Sequence, residues 1–380
     1  MKKVVVLGSG LVGSLMAKDL ASDGRYEVTA VDRSEAALGA LSGTPRLSTR
    51  RADLSSGSDI SDAVKDADAV VGAVPGFLGT AMLRTVIAAK KAISDISFAP
   101  ENPLVLDEEA KRAGVTAVVD CGVSPGLSNL AAGRAASAFK ETDSIQILVG
   151  GLPFRRVWPY EYRIVFSATD VIEEYTRPAR LVRDGRLVTK PALSEAEPFD
   201  FPMVGTLEGF LSDGMRTVLD TVKAKNLEEK TLRYPGHADR MRMLRETGFF
   251  GEDAVDVGGV KVVPRALTEK LLFGSWKLPA GEEEFTVLRV TCDGTADGRR
   301  QRRVYELFDR TDPKTGATSM ARTTGFPCTI VARLLLEGTF KEPGVHPPEV
   351  LGRKPELFAA IQEGLAARGV TFTERIVEES

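Results

Sequence analysis

Short apolar runs alternate with longer amphipathic stretches over the first part of the chain. KKVVVLG (2–8) and YEVTAVDR (26–33) are runs typical of buried strands, and GLVGSLMAKDLAS (10–22) has the spacing of a helix. The same alternation continues to about residue 125. Strands that alternate with helices at this spacing form a parallel sheet, joined by right-handed crossovers, with helices on both faces. The pattern therefore predicts an α/β, doubly wound domain over residues 1–125.

After residue 125 the pattern changes to strands with polar alternation. Runs such as 144–150, 162–168 and 284–292 predict a largely antiparallel sheet, and 194–202 reads as a surface loop. We expect an α+β second domain over residues 126–325. Helical spacing returns after residue 325, and this C-terminal segment (about 326–380) is expected to pack back on the first domain.

Composition excludes several functional classes. The formal net charge is -3, whereas a nucleic-acid or membrane-surface protein needs an excess of Lys and Arg. The three cysteines are isolated, and two histidines are too few for a multi-histidine metal site, so we expect neither a disulfide framework nor a metal. No apolar run reaches about 18 residues. We expect a soluble, cytoplasmic protein with reduced thiols.

A glycine-rich turn follows the first strand and opens the first helix. It has the form Gly8-Ser9-Gly10-Leu11-Val12-Gly13. The first glycine allows the tight turn, the second lets a pyrophosphate approach the backbone, and the third lets helix and strand pack closely. The free amides at the helix start, those of Leu11 and Val12, are expected to face the anion. The context predicts a dinucleotide-binding (Rossmann) site rather than a plain turn.

An acid closes the second strand 19 residues after this motif, where a dinucleotide site needs a partner for the adenosine ribose. Asp32 would repel the 2′-phosphate of NADP, so NAD is the predicted cofactor. The adjacent Arg33 can pair with that phosphate, which leaves NADP as the alternative. Residues after the third and fourth strands are expected to border the adenine and the nicotinamide ribose; they are Asp53, Leu54, Ala73, Val74 and Pro75.

Candidate chemistry lies at later strand ends. Asp95 follows the fifth apolar segment, and Asp120-Cys121 closes the last strand of the parallel series. Arg233 and His237 belong to a Thr-Leu-Arg-Tyr-Pro-Gly-His block. Each has a structural alternative: a capping acid for Asp95, a buried apolar side chain for Cys121, a surface ion pair for Arg233 and a core residue for His237.

Several blocks of the sequence resemble the saccharopine dehydrogenase family, and within it most closely the L-lysine 6-dehydrogenases. The matching blocks are GSGLVG (8–13), DISFAPENP (95–103), DCGVSPGLSNL (120–130), GGLP (150–153), VIEEYTRPA (171–179), LEGFLSDGMRT (207–217) and KTLRYPGHADRMR (230–242). The resemblance implies an NAD(P)-dependent oxidoreductase that acts on an amine carbon of lysine or a lysine-derived compound. It also implies a Rossmann domain joined to an α+β catalytic and dimerisation domain, and hence a homodimer. Residues 154–158 depart from the proline-rich turn expected there.

For this chemistry we assign roles as hypotheses. His237, with its ordinary pKa of about 6.5, is the candidate for proton relay, and Asp95 and Asp120 are the candidates to hold the substrate ammonium or orient water. Arg233 is the candidate clamp for an α-carboxylate. Cys121, Glu174 and Tyr175 are expected to line the same pocket.

Two other functions fit the same residues. One is reductive joining of an amino acid to an aldehyde, as in saccharopine or carboxyspermidine-type dehydrogenases. The other is a non-catalytic NAD(H)-binding sensor or scaffold, which shares the fold without the chemistry.

Overall fold

A computed structural model of the protein describes residues 1–166 and 168–378. In chain order its strands are β1 (Lys2–Leu7), β2 (Tyr26–Asp32), β3 (Leu47–Arg51), β4 (Ala69–Gly72), β5 (Ala92–Asp95), β6 (Thr116–Val118), β7 (Glu141–Pro153), β8 (Ala179–Arg183), β9 (Arg186–Lys190), β10 (Glu197–Phe201), β11 (Gly205–Leu211), β12 (Asn226–Arg233), β13 (Val255–Val257), β14 (Val260–Val262), β15 (Glu284–Ala296), β16 (Arg299–Arg310), β17 (Gly344–His346) and β18 (Phe372–Glu378).

The helices follow the same chain order. They are α1 (Leu11–Ser22), α2 (Glu35–Gly39), α3 (Gly57–Val64), α4 (Gly76–Ala88), α5 (Asp107–Ala113), α6 (Leu127–Ala138), α7 (Ala168–Thr176), α8 (Val218–Thr221), α9 (His237–Glu246), α10 (Pro264–Trp276), α11 (Ser319–Glu337), α12 (Pro348–Gly352) and α13 (Pro355–Ala366). In the described part of the chain, no helix combines the length and apolar character needed to cross a membrane.

The chain divides into two compact units, and neither is a single stretch of sequence. Unit 1 comprises Met1–Ala138, Arg216–Val222 and Ala321–Thr373. Unit 2 comprises Phe139–Met215, Lys223–Met320 and the segment from Glu374. The seven-residue return of the chain to unit 1 at Arg216 carries no periodic pattern that would have predicted it.

Unit 1 is built on a parallel sheet. Within the described residues the strand order is β17-β6-β5-β4-β1-β2-β3, and each neighbouring pair is parallel. Fully buried side chains of β1, β4 and β5, such as Leu7, Val70 and Ile93, form the core beneath helices that include α3 and α4. Ser34 caps α2 by accepting a hydrogen bond from the amide of Ala37. The predicted doubly wound α/β architecture is confirmed.

Helix α11 is held against α1 within unit 1 by a cluster of charged side chains. The guanidinium of Arg333 donates to Asp19 at 2.8 Å and to Asp23 at 2.9 Å, and Arg368 donates to Asp19 at 2.8 Å. These side chains are largely buried, so the attraction between them is little screened by water. The cluster links the C-terminal helices to the helix that follows the glycine turn.

Unit 2 is built on a mixed sheet with mainly antiparallel pairing. The strand order is β10-β11-β12-β7-β15-β16-β18, with β8 and β9 attached to β12. Strands β12 and β7 are parallel neighbours, and the long pair β15 and β16 is antiparallel. A separate two-stranded hairpin, β13–β14, lies outside this sheet. The predicted α+β character with a largely antiparallel sheet is confirmed.

Two local predictions in unit 2 are wrong. The strand over 162–168 does not form: Ile164 makes an isolated bridge to Lys277, α7 begins at Ala168, and residue 167 lies outside the described residues. The apolar side chains of this stretch pack in a core cluster instead of on a sheet. The loop expected over 194–202 contains β10, which pairs with β11. Pro198 is tolerated there because β10 is an edge strand.

Helices α6 and α12 approach each other so closely that each needs glycine at the contact. A Cβ atom at Gly133 would lie 2.0 Å from the carbonyl oxygen of Glu349, and one at Gly352 would lie 2.0 Å from the carbonyl oxygen of Leu130. Neither backbone can withdraw without moving its helix, so the two glycines set the distance between α6 and α12.

We therefore expect Gly133→Ala to lower the free energy of unfolding by about 1–3 kcal/mol, the usual cost of overpacking a close contact. Gly39→Ala is the matched control, because no atom lies within 4 Å of a Cβ atom at that helical position. Urea denaturation followed by circular dichroism measures both. Equal denaturation midpoints for the two variants would contradict the proposed helix contact.

Candidate functional site

The turn after β1 is shaped by two close backbone contacts. Gly8 has a φ of +104°, and a Cβ atom there would lie 2.4 Å from the carbonyl oxygen of Ala73 at the end of β4. A Cβ atom at Gly13 would lie 2.1 Å from the carbonyl oxygen of Gly8. At Gly10, by contrast, no atom of the described chain lies within 4 Å of a Cβ atom. The turn is packed tightly beneath and open above Gly10.

Polar groups without protein partners face this turn. Gly10 is the N-cap of α1, and no side chain caps the helix start. The hydroxyl of Ser9 is buried and has no hydrogen-bond partner among the residues that the structure describes. Leu11 is half exposed beside them. An uncapped helix start, a free hydroxyl and open space together suit the pyrophosphate of a dinucleotide.

Asp32 lies at the end of β2, beside the glycine turn. Its Oδ2 atom accepts the amide of Ser9 at 2.7 Å, and its Oδ1 atom accepts the amide of Ser34 at 2.9 Å. A carboxylate oxygen has two lone pairs, so both oxygens can still accept a ribose hydroxyl. The two amides therefore fix the orientation in which Asp32 would meet the adenosine sugar.

The other residues predicted at the cofactor site differ in how exposed their side chains are. Hydrogen bonds from Ser55 lower the pKa of Asp53, and the charge of the exposed Arg33 adds to this effect. The side chains of Leu54 and Val74 pack in the core of unit 1, so only their backbones can face a ligand. Ala73 lies against the glycine turn. Val12 is part-buried in the first turn of α1, and Pro75 is exposed and is the N-cap of α4.

Asp95 is a buried carboxyl group at the same edge of the sheet as the glycine turn. Its side chain is 3% exposed, and the hydroxyl of Ser97 donates to its Oδ1 atom at 2.8 Å. A Cβ atom at Gly72, the last residue of β4, would lie 2.1 Å from the same oxygen. Burial, together with the nearby charge of Asp120, raises the pKa of Asp95 to about 6.

Asp120 follows β6 and forms a buried ion pair with Arg216. The Nε and Nη2 atoms of Arg216 each donate to Asp120 at 3.2 Å, and both side chains are almost fully buried. Sequence reasoning missed Arg216, although it lies in the LEGFLSDGMRT block. An arginine in a loop gives no signal of a buried partner 96 residues away.

Cys121 is buried next to this pair and offers almost no surface to a substrate. Its thiol donates to the carbonyl oxygen of Val119 at 3.6 Å, and its side chain is 3% exposed. Burial, and secondly the neighbouring thiol of Cys328, raise the pKa of Cys121 well above its usual range. The thiol is therefore protonated at neutral pH, which suits the buried apolar alternative better than a role as nucleophile.

In unit 2 the structure brings together the remaining predicted residues. Arg233 is 2% exposed, and its guanidinium donates to Glu174 and, at 2.9 Å, to the carbonyl oxygen of Leu232. Its carbon Cζ lies 4.6 Å from the centre of the Tyr162 ring. Among the described residues, the Nε atom of Arg233 is buried without a hydrogen-bond partner. The positive charge of Arg233 is balanced by the carboxylate of Glu174.

His237 is fully buried, and both ring nitrogens are engaged. Nδ1 lies 2.9 Å from the carbonyl oxygen of Tyr160, and Nε2 lies 3.0 Å from the hydroxyl of Tyr175. Nδ1 must donate to the carbonyl, so Nε2 accepts the tyrosine proton and the ring is neutral. Burial, and secondly the charge of Arg233, lower the pKa of His237 to about 3. The proton-relay hypothesis assumed the ordinary pKa of histidine. The pKa of His237 differs because its ring is buried in the core, where both nitrogens are hydrogen-bonded.

Two further buried acids were missed because their strand and helix patterns look ordinary. Glu229 on β12 accepts the hydroxyl of Ser212 at 2.6 Å, and burial raises its pKa to about 8. Glu349 on α12 is fully buried and accepts the hydroxyl of Thr221 at 2.7 Å. Among the described residues, no group of three or more His, Cys, Asp or Glu could hold a metal ion.

Both halves of the chain match family models. Residues 4–118 match the saccharopine dehydrogenase NADP binding domain, and residues 122–370 match the saccharopine dehydrogenase C-terminal domain. Together these two matches take in the glycine turn, Asp95 and Asp120 as well as Arg216 and the Arg233 cluster.

Curated relatives are similar along nearly the whole chain at low identity. The saccharopine dehydrogenase [NADP(+), L-glutamate-forming] of Schizosaccharomyces pombe is 22% identical, and the match covers 100% of each chain. The carboxyaminopropylagmatine dehydrogenase of Synechocystis is 21% identical over 96% of each chain. The mitochondrial alpha-aminoadipic semialdehyde synthase of Bos taurus is 22% identical over 98% of this chain but 47% of that protein, so this chain spans about half its length.

One solved structure shares the fold along the whole chain. It is the apo saccharopine dehydrogenase (L-Glu forming) of Saccharomyces cerevisiae, with a TM-score of 0.82, 22% identity, and coverage of 99% of this chain and 100% of that one. This likeness shows the fold. The matched family models and the curated relatives make the protein an oxidoreductase that uses a nicotinamide dinucleotide, NAD or NADP. The chain belongs to the saccharopine dehydrogenase family.

Proposed function

We propose that the protein oxidises the amine carbon of an amino-acid substrate, and that this substrate is L-lysine, attacked at its ε-amine to give allysine and its cyclic piperideine carboxylate. The choice of lysine rests on the resemblance of the sequence blocks. The choice of reaction rests on one observation: the open glycine turn and the buried carboxyl of Asp95 lie at the same edge of one sheet, with β4 between them.

The contacts at that edge define the distance involved. Gly8 touches Ala73 after β4, and Gly72 at the end of β4 touches Asp95. Two strand spacings, about 10 Å, therefore separate the turn from the carboxyl group. The residues from Gly8 to Gly13 would hold the pyrophosphate, and Asp32 the adenosine ribose. Bound there, the dinucleotide supplies the acceptor for a hydride.

Asp95 has the properties that the other half of the reaction needs. An alkyl ammonium in water keeps its proton to a pH of about 10, and an amine cannot release hydride from its carbon until that proton has left. With a pKa of about 6, Asp95 is ionised at neutral pH. It can therefore bind the ammonium as a counter-ion and then accept its proton.

The second candidate reaction is oxidation of a secondary amine that joins an amino acid to another carbon chain. It is favoured by the relatives from Schizosaccharomyces and Synechocystis, a saccharopine dehydrogenase and a carboxyaminopropylagmatine dehydrogenase. Product analysis separates the two candidates. Oxidation of lysine at its ε-amine releases one ammonia for each reduced dinucleotide, whereas cleavage of a secondary amine releases an amine or amino acid and no ammonia. Ammonia below a tenth of the reduced cofactor would contradict the lysine reaction.

We expect Asp95→Asn to lower kcat by at least about 100-fold, the usual contribution of a positioned base. Binding of NADH, measured by fluorescence, should be unchanged, because Asp95 does not belong to the glycine turn. The exposed Asp66→Asn, in the same unit, is the control and should match the wild type.

The pH dependence follows from the raised pKa of Asp95. The base must be ionised, so kcat/KM of the wild type should fall tenfold per pH unit below about pH 6. Initial rates measured between pH 5 and 9 show whether kcat/KM falls in this way. A flat profile down to pH 5 would contradict the role of Asp95.

We expect the protein to prefer NAD to NADP, because the Asp32 carboxylate repels a 2′-phosphate. Asp32→Asn keeps the shape of the side chain but removes its charge. The variant should narrow the ratio of kcat/KM for NAD over NADP by about 10-fold or more. Glu35→Gln, which removes a nearby exposed charge on α2, should leave the ratio unchanged. A wild-type preference for NADP would show that Arg33, not Asp32, selects the cofactor.

A further inference from the structure

Two residues of unit 1 adopt a backbone conformation that side chains other than glycine rarely adopt, and they contact each other. Asp120 has a φ of +53° and Arg216 a φ of +51°. Their side chains form the buried ion pair described above. A strained conformation persists only where surrounding contacts hold it, and such residues cluster at functional sites. The coincidence of two such residues in one ion pair points to a role beyond packing.

Arg216 also holds the segment that follows Asp95. Its Nη1 atom donates to the carbonyl oxygen of Ala99 at 2.5 Å, and its carbon Cζ lies 4.9 Å from the centre of the Phe98 ring. One guanidinium therefore links the segment after β5 to the segment after β6. The amide of Cys121 adds a second link by donating to the backbone carbonyl of Asp95 at 2.8 Å.

Acidic groups converge on this point. Burial raises the pKa of Asp95, and the charge of Asp120 raises it further. Burial likewise raises the pKa of Glu349, and the charge of Asp120 adds a smaller contribution. The pKa of the exposed Glu101 is lowered first by a hydrogen bond from Thr80, and the charge of Arg216 contributes to the same effect. The acids that interact with the pair are thus Asp95 at the end of β5, Glu101 in the loop beyond, and Glu349 on α12. Arg216 supplies the positive charge that balances Asp120 among them.

The segment that carries Arg216 has other anchors. Residues 216–222 belong to unit 1, where Asp220 accepts the side-chain amide of Asn102 at 2.8 Å and Thr221 donates to Glu349 at 2.7 Å. These anchors do not involve the carboxylate of Asp120. The charge of Arg216 can therefore be tested separately from the attachment of its segment.

We propose that Arg216 is a positioning residue for amine oxidation: by pairing with Asp120 and holding the loop after β5, it leaves Asp95 as the carboxylate that exchanges a proton with the substrate amine. This inference rests on the proposed function. Without Arg216, the charge of Asp120 would act on Asp95 uncompensated and would raise the pKa of Asp95 further.

The experiment compares Arg216→Gln, which removes the charge, with Arg216→Lys, which keeps the charge but loses the two-pronged geometry. The acid limb is the part of the pH profile in which kcat/KM falls as the pH decreases. For Arg216→Gln we expect this fall to begin about one pH unit higher than in the wild type. Activity at pH 7 should fall about 10-fold from that shift, and added guanidinium chloride should restore part of it. For Arg216→Lys the limb should stay within about 0.3 pH unit of the wild type while kcat falls, with KM little changed.

Asp220→Ala is the matched control, because it loosens the same segment and leaves the ion pair intact. Its acid limb should match that of the wild type, and an equal upward shift there would overturn the inference. The inference would also be overturned if the acid limb of kcat/KM in Arg216→Gln stayed at the wild-type pH and guanidinium restored no activity. A merely structural residue would behave in this way. If Arg216→Gln cannot be recovered folded, wild-type kcat in Arg216→Lys overturns the inference.

A readout that needs no turnover keeps this test separate from the proposed reaction. Titration of Asp95 by carbon NMR, in protein labelled at aspartate carboxyls, should show its pKa rising in Arg216→Gln relative to the wild type. An inactive wild type whose Asp95 still responds in this way would contradict the reaction but keep the positioning role. A normally active wild type whose Asp95 does not respond would contradict the positioning role alone.

Discussion

The backbone contact between the turn after β1 and the end of β4 sets the geometry of unit 1. Because Gly8 and Gly13 have no side chains, the turn sinks against Ala73, and α1 starts directly above the sheet. The N-cap of α1 is Gly10, which makes no side-chain cap within the described residues. The same closeness continues from Gly72 to Asp95. The glycine turn and an ionisable group are thereby held at neighbouring positions of one sheet.

Burial has opposite consequences for the ionisable groups in the two units. In unit 1 it raises the pKa of Asp95 toward neutrality, where a carboxyl group is useful for proton transfer. In unit 2 it lowers the pKa of His237 so far that the imidazole stays neutral within an aromatic cluster of Tyr162, Tyr175 and Trp276. A histidine is the usual first choice for proton chemistry, but its surroundings decide whether it can perform it.

Local patterns predicted what local forces determine. The glycine turn and the run of parallel strands are each set by neighbouring residues, so their positions follow from the sequence. The strand predicted over 162–168 failed because its apolar side chains pack on other core residues, and β10 was missed because Pro198 reads as a loop residue where an edge strand tolerates it. The state of His237 depends on contacts with Tyr160 and Tyr175, which no spacing reveals.

The ion pair formed by Arg216 was hidden for a similar reason. Its partner Asp120 lies 96 residues earlier, and its segment returns to unit 1 for seven residues within a stretch that otherwise belongs to unit 2. The LEGFLSDGMRT block marked the region through family resemblance, but only the fold shows that Arg216 meets the end of β6. Long-range electrostatic pairing of this kind leaves no periodic trace in the sequence.

The interleaving of the two units has a consequence for how the protein can be divided. Unit 1 takes β17 from residues 344–346, and this strand hydrogen-bonds along β6. A fragment ending after α6 would keep the glycine turn but uncover the edge of β6 and the face of α1 that Arg333 contacts. Such an edge pairs readily with other chains. The dinucleotide-binding half is therefore not a portable module, and swapping it between relatives requires exchanging three separate stretches of sequence together.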